Sequence, residues 1–134
     1  MLLGGINIEF DRGLIGHSDA DVVLHAVTDA LLGAAGLPDI GDMFPDTDPA
    51  YEGADSRGLL SQAMEQVRSK GYTPINLDVI VHAEAPKLTP YKRQMAGVIA
   101  ELTGLAADAV SVKGKTNEGM GWIGEGEGLA VHTV

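Results

Sequence analysis

The stretch HSDADVVLHAVTDALL, residues 17–32, decides the fold of this chain. Its apolar residues recur at the spacing of an amphipathic helix, and we predict a helix from about Asp19 to Ala35 with Ser18 as its N-cap. The Gly-Leu-Pro sequence at residues 36–38 ends that helix. A mostly apolar helix of this kind packs in the core, so the other elements are arranged around it.

Three polar residues interrupt the apolar pattern of this helix. Asp21, His25 and Asp29 follow one another at intervals of four, which stacks their side chains on one helix face. The ordinary explanation is that one of the two carboxylates satisfies the histidine. The alternative is that His25 binds a metal ion while a carboxylate orients its other ring nitrogen. A single histidine leaves both explanations open, because a zinc site needs three protein ligands.

The composition of the chain excludes several classes of protein. The 134 residues include no cysteine, which removes disulfide and thiolate chemistry. The 19 acidic and 9 basic residues give a net charge of −10, which argues against a nucleic-acid surface. No apolar run approaches the roughly 18 residues of a membrane span. An anionic substrate is compatible with this charge where metal ions lie between it and the carboxylates.

The helical and alternating patterns predict a single α/β (α+β) domain over residues 1–134. We expect one mixed, four-stranded-type sheet covered by helices on one face, whose open face packs against copies of itself. The elements predicted beside the first helix are strand Leu2–Phe10 with a bulge or bend at Gly4–Gly5, helix Ser56–Lys70, strand Ile75–Ala83, helix Pro90–Thr103, strand Val110–Lys113 and strand Leu129–Val134.

Two loops carry residues suited to binding phosphate, hydroxyls or metal. Residues 39–54, DIGDMFPDTDPAYEGA, are aperiodic and too long for an idle connection. Their carboxylates either form ordinary turns or bind hydroxyls or a metal, and their spacing is not that of an EF-hand. Residues 115–128 begin with KTNE and continue as a glycine-rich segment whose backbone N–H groups can approach phosphate. This segment is not a Walker or dinucleotide fingerprint.

Several residues near these loops have two interpretations. His17 and Ser18 precede a helix N-terminus, where backbone N–H groups attract anions, but Ser18 can also simply cap the helix. Lys87 follows a strand and either meets phosphate or is solvated, and Glu118 can complete a magnesium shell. The residues alone indicate an α/β domain with a carboxylate-rich site directed at metal and phosphate.

Three blocks, in their order and spacing, resemble the 2-C-methyl-D-erythritol 2,4-cyclodiphosphate synthase family. They are HSDADVVLHAVTDALLGAAGLPDIGDMFPDTDP from residue 17, AEAPKL from residue 83 and KTNEGMGWIGEGEG from residue 115. The resemblance covers essentially the whole chain, and the first block is its most specific part. It implies a lyase of non-mevalonate isoprenoid (terpenoid) biosynthesis that cyclises 4-diphosphocytidyl-2-C-methyl-D-erythritol 2-phosphate and releases CMP.

The resemblance also implies an assembly, cofactors and a location. Such enzymes are homotrimers whose sheets pack around a three-fold axis and whose active sites lie between adjacent subunits. A zinc-type ion holds the β-phosphate, and magnesium or manganese bridges the diphosphate. The implied partners are the cytidine diphosphate substrate and further copies of the chain, with no nucleic acid and no membrane. The implied location is the cytoplasm, or a plastid where a transit peptide precedes the chain.

The family pattern assigns roles to residues at matching positions. His17 and Thr116 are catalytic, through transition-state stabilisation and a polarising hydroxyl, while His25 and Glu118 are metal ligands. The substrate-binding positions are His17 and Ser18 for phosphate, Asp39, Ile40 and Gly41 for the erythritol hydroxyls, Phe44, Pro45, Asp46, Thr47 and Asp48 as a second loop, Ala83, Glu84, Ala85, Pro86, Lys87, Leu88 and Thr89 around the cytidine, Lys115, Thr116, Asn117 and Glu118 as the phosphate loop, and Trp122 and Glu125.

Two departures from the family pattern affect these assignments. The family's Asp-x-His near the N-terminus, which supplies two further zinc-type ligands, has no counterpart here. We therefore expect that about seventeen N-terminal residues and a short C-terminal piece are missing from this sequence. Glu125 stands where the family has an arginine near the trimer axis, which argues against anion binding there. The alternative function is a catalytically impaired trimeric subunit for binding or assembly, and a general metal-dependent phosphohydrolase ranks last.

Overall fold

The computed structural model of the chain describes residues 1–16, 18–45, 47–51 and 53–134. In chain order, their helices and strands are β1 (Leu2–Leu3), β2 (Ile6–Asn7), α1 (Val22–Ala34), α2 (Ile40–Met43), α3 (Ser56–Ser69), β3 (Leu77–His82), α4 (Lys92–Thr103), β4 (Val110–Lys115), α5 (Gly121–Gly124) and β5 (Ala130–Thr133). Short 3₁₀ turns lie at Pro49–Tyr51 and Ala107–Ala109. In this part of the chain, no helix has the length and apolar character needed to cross a membrane.

A mixed sheet with the strand order β4-β3-β5 forms the centre of the domain. β3 runs parallel to β4, with Val79 opposite Val112, and antiparallel to β5, with Val79 opposite Thr133. The predicted mixed α/β class is confirmed. Within the described ranges this sheet has three strands instead of the four expected, because the first segment of the chain pairs with itself.

The first segment is a tight hairpin, so the single strand predicted from Leu2 to Phe10 is wrong, and Gly4–Gly5 form a hairpin turn where a bulge or bend was expected. β1 pairs antiparallel with β2 across Gly4 and Gly5, whose φ angles of 63° and 73° suit a two-residue hairpin turn. The turn packs on α4, where a Cβ on Gly4 would lie 2.7 Å from Met95 and one on Gly5 2.6 Å from Val98. Both the backbone conformation and the packing therefore require glycine.

The core lies between the sheet and a layer formed by α1, α3 and α4. Leu77, Val79 and Val81 of β3 are buried, in the alternation expected of a strand with one covered face. Because α1 and α3 pack side by side, His25 on α1 and Ser56 at the start of α3 are held within hydrogen-bonding distance. The fully buried side chains contributed by the helices include Val23, Leu24, Val27, Leu32, Leu60, Met64, Met95 and Ile99.

The opposite face of the sheet is partly exposed in the isolated chain. It carries the half-buried Asp78, Ile80 and His82 of β3, with the exposed Lys113 and His132 on the neighbouring strands. Lys113 donates to the carboxylate of Asp78 at 2.5 Å, and the rings of His82 and His132 meet edge to face with 5.3 Å between centroids. The helices therefore cover one face of the sheet, as predicted.

The helix α1 begins three residues later than predicted, and Asp21 instead of Ser18 is its N-cap. The buried carboxylate of Asp21 accepts two backbone N–H groups in the first turn of α1, each at 3.1 Å. It also accepts the N–H groups of Gly4 at 2.8 Å and Gly5 at 2.6 Å. One carboxylate therefore stabilises the start of the helix and joins the N-terminal hairpin to it.

Two cations of the α3 segment cap the ends of the neighbouring helices. Lys70 donates to the carbonyl oxygens of Ala35 and Gly36, each at 3.0 Å, at the end of α1. Arg68 donates to the carbonyl oxygen of Thr103 at 3.0 Å, at the end of α4. The last carbonyl groups of a helix have no partner within the helix, so these contacts stabilise both ends and join the three helices.

Most of the remaining predicted elements are present with shifted bounds. α3 is capped by Asp55, so the hydroxyl of Ser56 is available to another partner. α4 begins at Lys92, two residues after Pro90, and β4 continues to Lys115. The predicted glycine-rich loop contains one helical turn, α5.

Candidate active site

A first cleft of about 340 Å³ lies beside the N-terminus of α1. Its walls are formed by the loop before α1, the start of α1, the α2 segment, the 3₁₀ turn at Pro49–Tyr51 and α3. Its lining residues are Ile15, Gly16, Ser18, Ala20, Val22, His25, Ile40, Gly41, Phe44, Tyr51 and Leu59. Five residues with an assigned role therefore share this cleft, namely Ser18, His25, Ile40, Gly41 and Phe44.

Two serines orient the imidazole of His25. Its Nε2 lies 2.8 Å from Oγ of Ser56 and 3.2 Å from Oγ of Ser18. The two carboxylates considered as its partners are engaged elsewhere, because Asp21 caps α1 and Asp29 accepts the backbone N–H at the start of α2 at 2.8 Å. The expectation that a carboxylate one turn away orients His25 is therefore wrong.

Asp19 and Ser56 also belong to this site, although neither residue is part of a predicted site pattern. The hydroxyl of Ser56 donates to the carboxylate of Asp19, which also accepts the backbone N–H of Ser56 at 2.9 Å. The hydroxyl of Ser56 lies between Asp19 and His25, and its proton is directed at the carboxylate of Asp19. In a Ser-His-Asp triad the histidine takes the serine proton instead. Ser56, which is 1 % exposed, is therefore not an activated nucleophile.

Asp39 begins the short helix α2, which forms one wall of the first cleft. Its exposed side chain caps α2 by accepting a backbone N–H of the first turn at 2.9 Å. The next two residues, Ile40 and Gly41, line the cleft. Phe44 is buried at the end of α2, where its ring packs edge on against Tyr51 with 5.3 Å between centroids. The cap at Asp39 and the aromatic pair thus hold α2 against the cleft.

The loop that follows Phe44 contains four further predicted site residues. Pro45, Thr47 and Asp48 are exposed, and they are not among the described residues that line the first cleft. Asp48 accepts the backbone N–H of Ala50 at 2.9 Å, as in an ordinary turn. Asp46 lies outside the described residues, as does His17, for which a catalytic role is predicted.

A second cleft, of about 350 Å³, lies where the parallel strands β3 and β4 end. Parallel strands end at the same edge of a sheet, so the loops that follow them meet there. The loop predicted to surround a cytidine and the start of the predicted phosphate loop therefore share this cleft, with three lysines around it. Its lining residues are Ala83, Glu84, Pro86, Lys87, Leu88, Thr89, Lys92, Gly114, Lys115 and Thr116.

A hydrogen bond of Glu84 connects the two loops that form the second cleft. Its carboxylate accepts the backbone N–H of Asn117 at 3.1 Å. Thr116 donates to the carboxylate of Glu118 at 2.5 Å, and Glu118 has a left-handed backbone with φ of 53°. Non-glycine residues are uncommon in that conformation and concentrate at functional sites. Thr116, the predicted polarising hydroxyl, and Glu118, the predicted metal ligand, are therefore in direct contact.

Three further predicted site residues, Ala85, Trp122 and Glu125, lie outside the lining of both clefts, as do Asp39, Pro45, Thr47, Asp48, Asn117 and Glu118. Ala85 lines a smaller cleft of about 170 Å³ together with Arg12 and Glu127. Trp122 is 53 % exposed on α5, and Glu125 is the exposed C-cap of the same helix. In a single chain these side chains are thus available to solvent or to another molecule.

The chain offers His25 as a ligand for a zinc-type ion at the first cleft. Within residues 1–16, 18–45, 47–51 and 53–134, no group of three or more His, Asp or Glu side chains is arranged to hold a metal ion. An imidazole is a common zinc ligand, but a zinc site needs at least three protein ligands. His25 therefore fits as one ligand and does not form a zinc site by itself.

The fold and the two clefts define a small α/β domain that presents histidine, carboxylate and lysine side chains to a ligand. Comparison with known proteins narrows this class. The chain belongs to the YgbB family, whose sequence model matches residues 1–134.

Relatives of the chain are similar along its whole length. It is 56 % identical to the 2-C-methyl-D-erythritol 2,4-cyclodiphosphate synthase of Bordetella pertussis strain Tohama I over 134 residues, which are 100 % of this chain and 83 % of that protein. The structure of IspF from Plasmodium falciparum in a CDP complex is similar with a TM-score of 0.86 and 32 % identity, over 99 % of this chain and 80 % of that chain. The bifunctional IspDF from Campylobacter jejuni is similar with a TM-score of 0.95 and 46 % identity, over 99 % of this chain and 36 % of that chain. The predicted family is confirmed.

Proposed function

We propose that the chain is a 2-C-methyl-D-erythritol 2,4-cyclodiphosphate synthase of isoprenoid biosynthesis. It converts 4-diphosphocytidyl-2-C-methyl-D-erythritol 2-phosphate to the cyclic diphosphate and CMP. The observation that carries the proposal is the first cleft, which gathers Ser18, His25 and Ile40 from separate segments of a chain whose full-length relatives bear this enzyme's name. The alternative of an impaired subunit for binding or assembly is not favoured, because relatives 54 % and 56 % identical over the whole chain are named as the enzyme.

The proposed reaction is an intramolecular phosphoryl transfer. An oxygen of the 2-phosphate attacks the β-phosphorus, and the bond from that phosphorus to the bridging oxygen breaks, with its electron pair leaving on CMP. The new phosphorus–oxygen bond closes the ring. This step needs no protein nucleophile, which agrees with a Ser56 whose proton is directed at Asp19. Catalysis comes from positioning and from stabilisation of charge.

In this proposal the first cleft binds the erythritol part of the substrate and its neighbouring phosphate. Ser18 and His17 contact phosphate, and His17 stabilises the charge of the transition state. Residues 39–41 hold the erythritol hydroxyls, and residues 44–48 form a second loop over the substrate. Support comes from the distance of 3.2 Å between Oγ of Ser18 and Nε2 of His25, because a phosphate bound at Ser18 then lies beside the proposed metal ligand.

The second cleft binds the cytidine and its phosphates in this proposal. Residues 83–89 surround the base mainly through backbone groups, while Lys115 and Thr116 meet the phosphates. Trp122 and Glu125 follow on the same loop. The three lysines that line the cleft support a phosphate ligand, and the CDP complex of a relative supports a cytidine nucleotide.

A complete active site of this kind lies between neighbouring copies in a homotrimer. The two clefts share no lining residue, and in this proposal the first cleft of one copy meets the second cleft of its neighbour. The partly exposed face of the sheet is the surface that we assign to packing around the three-fold axis. Its centre is Ile80, which lies opposite Lys113 on one side and His132 on the other.

Two divalent ions complete the proposed site. His25 is one ligand of a zinc-type ion, and Glu118 binds magnesium or manganese together with the substrate diphosphate. When bound, these ions neutralise charge on the phosphates. The contacts of Glu118 with Thr116 and of His25 with its two serines support these roles, because both side chains are held in fixed orientations.

The proposal is tested by incubating the full-length protein with the cytidyl substrate and a divalent metal. We expect equal amounts of CMP and cyclic diphosphate, measured by phosphorus NMR and chromatography. His25→Ala is the matched variant, and it should lose zinc-type binding and activity while the fold remains, because α1 keeps its apolar face. A full-length wild-type protein that forms neither product contradicts the proposal, and hydrolysis of unrelated phosphate esters would favour a general phosphohydrolase.

A further inference from the structure

The side chain of Glu84 reaches from the loop after β3 to the loop after β4. Its carboxylate accepts the backbone N–H of Asn117 at 3.1 Å, although the two residues are 33 positions apart. Glu84 is half-buried at the second cleft, and the N–H of the preceding residue, Ala83, donates to the carbonyl oxygen of Lys115 at 2.9 Å. The ends of β3 and β4 are therefore held together by two successive hydrogen bonds, the second of which is made by the Glu84 side chain.

The N–H that Glu84 accepts belongs to the peptide unit between Thr116 and Asn117. This unit is trans, so its N–H and C=O groups point in opposite directions and its six atoms, including Cα of Thr116, lie in one plane. A hydrogen bond that holds the N–H thus fixes the orientation of the whole unit. The hydroxyl of Thr116 can then turn only about its own side-chain bond, and its contact with Glu118 at 2.5 Å sets that rotation.

The other contacts of the loop at residues 116–120 do not replace the one with Glu84. The side-chain amide of Asn117 donates to the carbonyl oxygen of Met120, and the N–H of Met120 donates back to the carbonyl oxygen of Asn117, each at 2.9 Å. On its far side the loop packs on α5, where a Cβ on Gly124 would lie 2.3 Å from the carbonyl carbon of Gly119. These contacts give the loop its shape, whereas the Glu84 side chain joins it to the opposite wall of the cleft.

We propose that Glu84 is a positioning residue of the cyclisation, which fixes the peptide unit after Thr116 and so holds the Thr116 hydroxyl against the phosphates. The kinetic role rests on the proposed function, whereas the contact between the loops does not. A displacement of about 1 Å in a group that stabilises charge can cost about 100-fold in rate, so a hydrogen bond of this kind affects catalysis without touching the substrate. The role requires an oxygen acceptor and no negative charge, because an amide oxygen accepts an N–H as a carboxylate does.

The first test compares kcat and KM for CMP release in variants of the full-length protein. Glu84→Ala should lower kcat by about 10–100-fold with a smaller change in KM, because the hydroxyl acts mainly in the transition state. Glu84→Gln keeps the acceptor and should recover most of the lost activity. Glu101→Ala, an exposed carboxylate on α4 outside the lining of both clefts, is the control and should match the wild type. A Glu84→Gln variant as impaired as Glu84→Ala would show that the charge acts directly on the ligand, and would overturn the inference.

The second test combines Glu84→Ala with Thr116→Ala. Because Glu84 acts through the Thr116 hydroxyl, the double variant should be about as active as Thr116→Ala alone. A role of Glu84 in packing or in direct binding of the nucleotide would instead make the two losses multiply. A double variant whose loss equals the product of the two single losses therefore overturns the inference.

The third test needs no substrate and measures hydrogen exchange at the backbone N–H of Asn117 by NMR. Exchange should be at least about 10-fold faster in Glu84→Ala than in the wild type and close to the wild type in Glu84→Gln. Circular dichroism checks folding, and Glu84→Met, which keeps the side-chain length, takes the place of Glu84→Ala if that variant is unfolded. Unchanged exchange and kcat in the substituted protein, beside an active wild type, overturn the inference alone. A wild-type protein that releases no CMP contradicts the proposed function and the kinetic role with it, even where the exchange rates show the contact between the loops.

Discussion

The carboxylate of Asp21 accepts the backbone N–H of Gly5 at 2.6 Å, across 16 positions of sequence. The same side chain accepts the N–H of Gly4 and two N–H groups of α1, and it is 0 % exposed. One buried group therefore holds the N-terminal hairpin against the helix that carries His25. Because the lining of the first cleft includes the turn before α1, this contact also supports the cleft.

Asp21→Ala should lower the free energy of unfolding by about 2–4 kcal/mol, because it removes a helix cap and leaves buried N–H groups without partners. Urea denaturation followed by circular dichroism measures the change. Asp29→Ala is the matched control on the same helix, since Asp29 is exposed and accepts one N–H. Its cost should be about 1 kcal/mol or less. Equal costs for the two variants would contradict the structural role of Asp21.

The parts of the fold that the sequence predicts correctly depend on local periodicity. The apolar spacing of residues 22–34 gives α1, and the alternation of residues 77–82 gives β3 with its buried side. The parallel pairing of β3 and β4, which the structure shows, brings the loops after these strands to one edge of the sheet. The second cleft is formed by those two loops.

The parts that the sequence does not predict depend on contacts between distant segments. Ser18 and Asp21 are both good caps, and the choice of Asp21 follows from its contacts with the hairpin and from the left-handed Ala20 between them, whose φ is 59°. The hydrogen bond from Ser56 to Asp19 joins residues 37 positions apart. Two features of the sequence indicate these contacts. Gly4–Gly5 is typical of a hairpin turn, and Asp55–Ser56 offers two cap residues where one helix needs only one.

Thr116→Ala should lower kcat for CMP release by about 100-fold with a smaller change in KM, because a hydroxyl that stabilises charge acts mainly in the transition state. Thr116→Ser keeps the hydroxyl and should recover most of the activity. Ser61→Ala, on the exposed side of α3, is the control and should match the wild type. Loss of activity in Thr116→Ser equal to that in Thr116→Ala would point to a packing role for the threonine.

The stability of the chain should depend on the ionisation of Asp78. The hydrogen bond from Lys113 lowers the pKa of Asp78 below the ordinary value of 3.8. A carboxyl group whose pKa is lowered on folding stabilises the native state above its unfolded pKa, and that contribution is lost as the pH falls through the folded pKa. Urea denaturation from about pH 6 to pH 2 should therefore show a steeper acid loss in the wild type than in Asp78→Asn. Lys113→Met should remove the same part of the pH dependence, and parallel curves for the wild type and both variants would rule out this role.

Ile80→Lys should dissociate the proposed homotrimer while leaving the chain folded. Ile80 is half-buried on the open face of the sheet, directly opposite Lys113, so the substitution adds an unpaired charge beside an existing lysine. Burying such a charge between subunits costs several kcal/mol, so association should weaken by at least about 100-fold. Light scattering on a sizing column should give three times the 14.0 kDa chain mass for the wild type and the single-chain mass for the variant. Gln62→Lys, on the exposed side of α3, is the control and should remain assembled. A wild-type chain with the mass of a monomer, or an Ile80→Lys variant that stays assembled, would show that this face does not form the subunit contact.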